Sequence, residues 1–272
     1  MRSVLAGLAM VISMYSVAQK DFSPSVSPDG KRIAFYSYID NVPQIFIINL
    51  DGSHKEQITK SNLWSIGPVW SAKGDQIYFS QGEGMGTMDV ASINLQTREI
   101  VRTQKEGMQF GLGESGSSIL WASRSDGFKF YTSSDINLGN QREIVTEFQQ
   151  YWVAKSDNYT IISVSDEGKE GIYLKTGNSF KQLYKIGGVK NLSISKDEKN
   201  IVFESAATGS SDIYMASIDG RQLRNLTRSE FTDYMPSLSP GSDFIIFSSN
   251  RAEGFQLHKL NLENNSIELI SY

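Results

Sequence analysis

The chain has no cysteine, which excludes a disulfide framework, a thiolate nucleophile, an iron–sulfur cluster and a cysteine-linked lipid anchor. Histidine is almost as scarce. His54 and His258 are the only two, so an imidazole-rich metal site is excluded as well. Neither sign of charge is in marked excess, with 26 Lys+Arg against 30 Asp+Glu in 272 residues. A net charge of −4 and a pI near 5.4 offer no general attraction to phosphate backbones, which argues against nucleic acid as a partner. Beyond residue 18 no apolar run is long enough to span a bilayer. What remains is 39% hydrophobic and 11% aromatic, enough for a packed core rather than a disordered chain.

The first eighteen residues read as an export signal. Arg2 supplies a positive start, Val4 to Val17 carries no charge, and Ser16-Val17-Ala18 places small residues three and one before a cut. The uncharged stretch is shorter than the roughly 20 residues a spanning helix needs. The expectation is a signal peptide at 1–18, with Gln19 the first residue of an exported, periplasmic or secreted protein that does not span the membrane.

A repeat of about forty residues organises the rest. Turn-like breaks open at Ser27, Ser71, Gly113, Lys155, Ser195 and Ser239. Ser27-Pro28-Asp29-Gly30 shows the chemistry, with proline preset at the second position and glycine permitting positive φ. Six residues after each break stands Ile33, Ile77, Ile119, Ile161, Ile201 or Ile245. Eight after stands Phe35, Phe79, Trp121, Phe203 or Phe247, with Ser163 the exception. Ten after is serine (37, 123, 165, 205, 249), except for Gln81. This period of two, held in one register, marks a strand with one face toward the core. Each copy reads as four short strands, near 24–27, 32–38, 44–50 and 55–59 in the first and 236–239, 243–249, 256–262 and 266–271 in the sixth. Four strands per forty-odd residues is the mark of a propeller blade. The fold expected is all-β, a six-bladed β-propeller of four-stranded antiparallel blades filling residues 19–272 as one domain.

In the first strand of each copy, large residues one and three before the break alternate with mostly small ones two before. The large set would pack against the small set of the neighbouring blade. Because every blade uses contiguous chain, the ends are expected to meet by side-chain packing alone, with residues 19–24 forming no hydrogen bonds to the last sheet.

Ser27-Pro28-Asp29-Gly30-Lys31-Arg32-Ile33-Ala34-Phe35, with Gln44-Ile45-Phe46 and Leu50-Asp51-Gly52, resembles the propeller repeat of the TolB family. Pro236-Ser237-Leu238-Ser239-Pro240, Phe247-Ser248-Ser249-Asn250-Arg251 and Gly254-Phe255-Gln256-Leu257 are similar to it, as are Ser211-Asp212-Ile213-Tyr214 and Asp219-Gly220. The likeness runs over residues 22–272 and is sharpest in copies one, five and six. It implies a periplasmic, protein-binding propeller of the Tol–Pal envelope system, without the α/β domain that precedes the propeller in TolB. The same repeat type also occurs in propellers joined to serine peptidases and in some polysaccharide lyases, so it speaks to fold and compartment more than to activity.

No catalytic, metal or cofactor signature emerges. Gly113-Glu114-Ser115-Gly116-Ser117 lacks the last glycine of a nucleophile elbow. Gly82, Gly84 and Gly86 precede no helix that would direct amides at a phosphate. The Asp-Gly pairs at 29, 51, 126 and 219 are turn chemistry rather than calcium ligands. The remaining candidate is the end of the ring that carries both the second-to-third-strand loops and the connections between blades. There Trp64, Gln109, Tyr151, Lys190 and Tyr234 join Arg124, Asp126 and Arg251 as partner-binding residues. The reading is a monomeric, non-enzymatic scaffold for an envelope protein or peptide. A propeller-type polysaccharide lyase or hydrolase, or a glycan-binding module, stands as the alternative.

Overall fold

The computed structural model describes residues 19–84, 86–103, 109–115, 118–123, 129–149 and 151–272. The chain runs as successive four-stranded antiparallel units. The first holds β1 (Gln19–Val26), β2 (Arg32–Ile39), β3 (Val42–Asn49) and β4 (Glu56–Gln57). The second holds β5 (Trp64–Trp70), β6 (Gln76–Gly82), β7 (Asp89–Asn94) and β8 (Ile100–Arg102). Then come β9 (Gln109–Ser115), β10 (Ser118–Ser123), β11 (Lys129–Ser133) and β12 (Arg142–Glu143). They are followed by β13 (Tyr151–Lys155), β14 (Thr160–Val164), β15 (Gly171–Thr176) and β16 (Ser179–Tyr184). Next are β17 (Val189–Ile194), β18 (Asn200–Ser205), β19 (Asp212–Ser217) and β20 (Leu223–Asn225). The last are β21 (Asp233–Leu238), β22 (Phe244–Ser249), β23 (Gly254–Asn261) and β24 (Ile267–Leu269). The inner strands β1, β5, β13, β17 and β21 line one axial cavity of about 600 Å³. This is an all-β propeller of four-stranded antiparallel blades.

The register expected from the repeat matches the core. Ile33, Ile77, Ile119, Ile161, Ile201 and Ile245 are all buried in second strands, as are Phe35, Phe79, Trp121, Phe203 and Phe247 two residues on. Ile201→Ala therefore removes fully buried methylenes and is expected to cost about 2–5 kcal/mol. An unchanged thermal melt would show that this strand's inner face is misassigned.

The break serine does more than mark a turn. Ser27, Ser71, Ser195 and Ser239 are buried, and each hydroxyl donates to an aspartate (Asp29, Asp75, Asp197, Asp243) at 2.5–2.8 Å. Each also accepts the N–H five residues on (Arg32, Gln76, Asn200, Phe244), which fixes the start of the second strand. Gly113 and Lys155 have no hydroxyl to do this, and copies three and four are the blurred ones in the sequence. Inner strands meet as the alternation anticipates: the buried Trp70 donates its indole N–H to the Ser25 carbonyl at 2.9 Å, and Ser237 Oγ accepts from Val26 N–H at 3.0 Å.

The expectation for ring closure is overturned. Gln19 and Lys20 pair in parallel with Gly254 and Phe255 of β23, so β1 joins the first and last units into one eight-stranded sheet while the other four units stand as separate sheets. The reason is visible one junction earlier. Asp233 N–H donates to Ser211 O at 2.8 Å, and those positions are the repeat equivalents of Asp21 and Phe255. Closure reuses a main-chain link already made between neighbours. Because β24 pairs only with His258–Leu260, the start of β23 would otherwise be left with unpaired edge groups. Side chains reinforce the seam. Phe35, Phe46 and Ile48 pack with Phe244, Ile246 and Leu257, and the Tyr272 hydroxyl donates to the buried Asp21 carboxylate.

Candidate functional site

Hydrogen bonds place the blade connections and the second-to-third-strand loops on one end of the ring. Asn250 exchanges bonds with Thr232, and Asp166 accepts from Gln149 N–H at 2.9 Å. Polar residues near the start of third strands hold the loops around them. Gln44 donates to the carbonyls of Ser61 and Leu63, and Asp212 accepts from Ser229 N–H and Thr208 Oγ1.

The sequence candidates fare differently in this setting. Tyr234 is half-buried and stacked on Phe255, with ring centroids 5.6 Å apart. Trp64 is half-buried at the start of β5, opposite Gly82. Lys190 is exposed on β17. Gln109 opens β9 opposite Ser123. Tyr151 is only 6% exposed and packs on Phe130, so it seals a blade, and burial pushes its phenol up. Arg251 is not a free cation. Its guanidinium donates to the fully buried Asp233 at 2.6 Å, to Thr227 O and to Ser229 Oγ, and it lies over the Phe231 ring. Arg124 and Asp126 lie outside the described residues.

The structure adds a feature that those candidates touch only at one end. Tyr234, Phe255, Phe22, Tyr36 and Tyr38 form a continuous run of rings across the closing seam, with successive centroids 5.2–6.1 Å apart. Four of the rings are half-buried, and the run ends at Tyr38 and Ile39, which are 39% and 45% exposed on the β2–β3 hairpin. Asp40 and Asn41 hold that hairpin tip with positive φ at both positions. Its sequence signal is a matched heptad at the two inner strands, Asp21-Phe-Ser-Pro-Ser-Val-Ser27 and Asp233-Tyr-Met-Pro-Ser-Leu-Ser239. The shared aspartates are buried and the shared aromatics build the run.

Glu204 lies behind the cavity wall at the same end. It is buried, accepts from Met235 N–H at 2.6 Å and is bonded by Asn191, both residues of the cavity lining. Burial raises its carboxyl above the usual range despite those bonds and the Lys190 charge. A raised carboxylate contributes stability that is fully present below its unfolded-state value and is lost as pH rises through the folded-state value. Glu204→Gln keeps an acceptor without the charge. It is expected to melt increasingly above the parent as pH rises from about 4 to 8. Parallel melting curves across that range would contradict the burial cost.

Comparison with known proteins fits this geometry. No family model matches the chain. The Tol-Pal system protein TolB of Francisella tularensis is 24% identical over 235 residues, 81% of this chain and 54% of that protein. The chain carries a TolB-like β-propeller. Dipeptidyl-peptidase 5 of Porphyromonas endodontalis is 20% identical over 313 residues, 93% of this chain and 44% of that one. The TolB-like chain thus spans about half the length of the curated relatives it matches. Among solved structures, the tricorn protease superposes with a TM-score of 0.71 at 16% identity, covering 93% of this chain and 26% of that one. The β-propeller domain of the Trilobed protease from Pyrococcus furiosus gives 0.63 at 12% identity, covering 93% and 82%.

Proposed function

We propose that this chain is an exported, six-bladed TolB-like propeller that binds a protein or peptide segment in the cell envelope and has no chemistry of its own. The observation that carries the binding role is the aromatic run from Tyr234 to Tyr38, which offers large, rigid rings on the loop-bearing end and finishes in an exposed hairpin. Tyrosine is enriched among the few residues that carry most of an interface's energy, and aromatic rings bury large areas. The blade number rests on the eight-stranded sheet being two four-stranded runs joined only at Gln19 and Lys20. An envelope address is supported by the leader-like residues 1–18 and by the likeness to TolB.

The test is a photo-crosslinking residue placed at Tyr38 and, as control, at the exposed Val145. The expected result is one crosslinked polypeptide specific to position 38, whose purified form binds at least tenfold more weakly after Tyr38→Ala or Phe255→Ala, a loss of about 1.4 kcal/mol. Crosslinks shared equally by both positions, or affinities untouched by the substitutions, would sink the reading. Binding to a sugar polymer instead of a polypeptide would favour the glycan alternative.

A further inference from the structure

We propose that His258 is an acid-sensitive release for the Asp233–Arg251 clasp, so that protonating one buried ring loosens the chain entering the last unit. His258 stands on β23 at only 4% exposure, with its ring on Phe247 at a centroid distance of 5.8 Å. Its Nδ1 lies 3.1 Å from the Gln256 carbonyl oxygen, which can only accept. Nδ1 therefore carries the hydrogen of the neutral ring, and Nε2 is the nitrogen left to take up a proton.

The charges facing that ring are those of the clasp itself. Asp233 acts on it from β21 and Arg251 from the loop after β22. The neighbouring strands bring Phe247 and Leu269, and the preceding unit packs Val202 and Ile213 into the same junction. Glu204 of that unit also faces the junction, where Met235 N–H holds it. With His258 neutral, the Asp233–Arg251 pair balances its own charge. An imidazolium adds a second buried cation. It repels the Arg251 guanidinium and offers a new partner to Asp233, whose Oδ1 accepts no hydrogen bond from the protein. Both effects weaken the bonds from Arg251 to Asp233, Thr227 O and Ser229 Oγ. Burial, with the Arg251 charge, holds the imidazole below its ordinary value against the pull of Gln256 O and Asp233. Stability from the neutral ring is therefore complete above about pH 6.5 and is lost as pH falls toward the lowered folded-state value. Tyr234 follows Asp233 directly, so if the aromatic run is the binding surface proposed above, binding there weakens in acid.

The experiment is hydrogen exchange of the peptide 226–236 at about pH 7.5 and 5.5, divided by that of 32–39 in the same sample to remove the intrinsic effect of pH. The readout is exchange rather than binding, so its failure and that of the binding reading are distinct. The ratio is expected to rise roughly tenfold in acid for the parent and less than about twofold for His258→Asn, which keeps a donor for Gln256. No rise in the parent, or an equal rise in both, overturns the release. Glu204 titrates with the opposite sign and is present in both proteins, so it cancels in that comparison. If His258→Asn does not fold, the imidazole carbon signals of the parent decide, since there are only two histidines and His54 is exposed. Exchange at 226–236 that rises as the His258 signal titrates supports the release; a His258 midpoint at the ordinary value, or exchange that does not follow it, overturns it.

Discussion

Arg251→Ala is expected to lower the unfolding free energy by about 3–5 kcal/mol, because it strands a buried carboxylate without its partner. Asp233 is fully buried, and Arg251 has a side chain only 18% exposed. The guanidinium also bonds Thr227 O and Ser229 Oγ, so it ties the second-to-third-strand loop of the last unit to the connection that leads into β21. All three bonds leave Nη2, so Arg251→Lys keeps the charge and a group with three donors, but its ammonium loses the planar guanidinium over the Phe231 ring, and an intermediate loss is expected. Replacing both partners with apolar residues of similar size should recover most of the loss, since no unpaired charge remains. Urea unfolding of the three variants checks the series. A loss under 1 kcal/mol for Arg251→Ala would show that Asp233 is served by some other group. Since Tyr234 follows Asp233 directly, the same substitution is also expected to weaken binding at the aromatic run.

Gly52→Ala is expected to cost about 3 kcal/mol, from two sources acting together. Gly52 sits at φ +86 in the turn after β3, where a side chain strains the backbone. A Cβ there would also run into the main-chain carbonyl of Ser271, at the closing seam. Gly30→Ala separates the two, because its φ is +73 but a Cβ would meet nothing. That variant should lose only about 1 kcal/mol. Equal losses at the two glycines, measured by urea unfolding, would mean that the C-terminal residues do not press on the turn at 52.

The repeat was legible because its signals are local. The isoleucine six after each break, the aromatic eight after it and the turn chemistry at Ser27 or Ser239 all lie within a dozen residues of one another. A period-2 pattern fixes which side of a strand is buried without reference to any other strand. The break serine was legible as a turn but not as a buried hydroxyl with a donor role, since composition does not say where its proton goes. Among the site candidates, Tyr234 lies in the aromatic run, but Tyr151 and Arg251 do not present free groups. A loop position identifies a residue that reaches the end of the ring. It does not show whether a neighbour across a blade junction has already claimed the side chain.

By itself, then, the sequence determined the blade: its strands, their register, the face turned inward and the turns between them, all set by alternation and turn chemistry over short distances. The tertiary structure alone decided how the ends join and what stands at the mouth. Tyr272 reaches Asp21 across 251 positions of chain, and Phe22 meets Phe255 and Tyr36 only once the first and last sheets lie side by side. Such contacts follow from the angle through which successive blades turn, which is summed around the whole ring, and no single repeat encodes that sum.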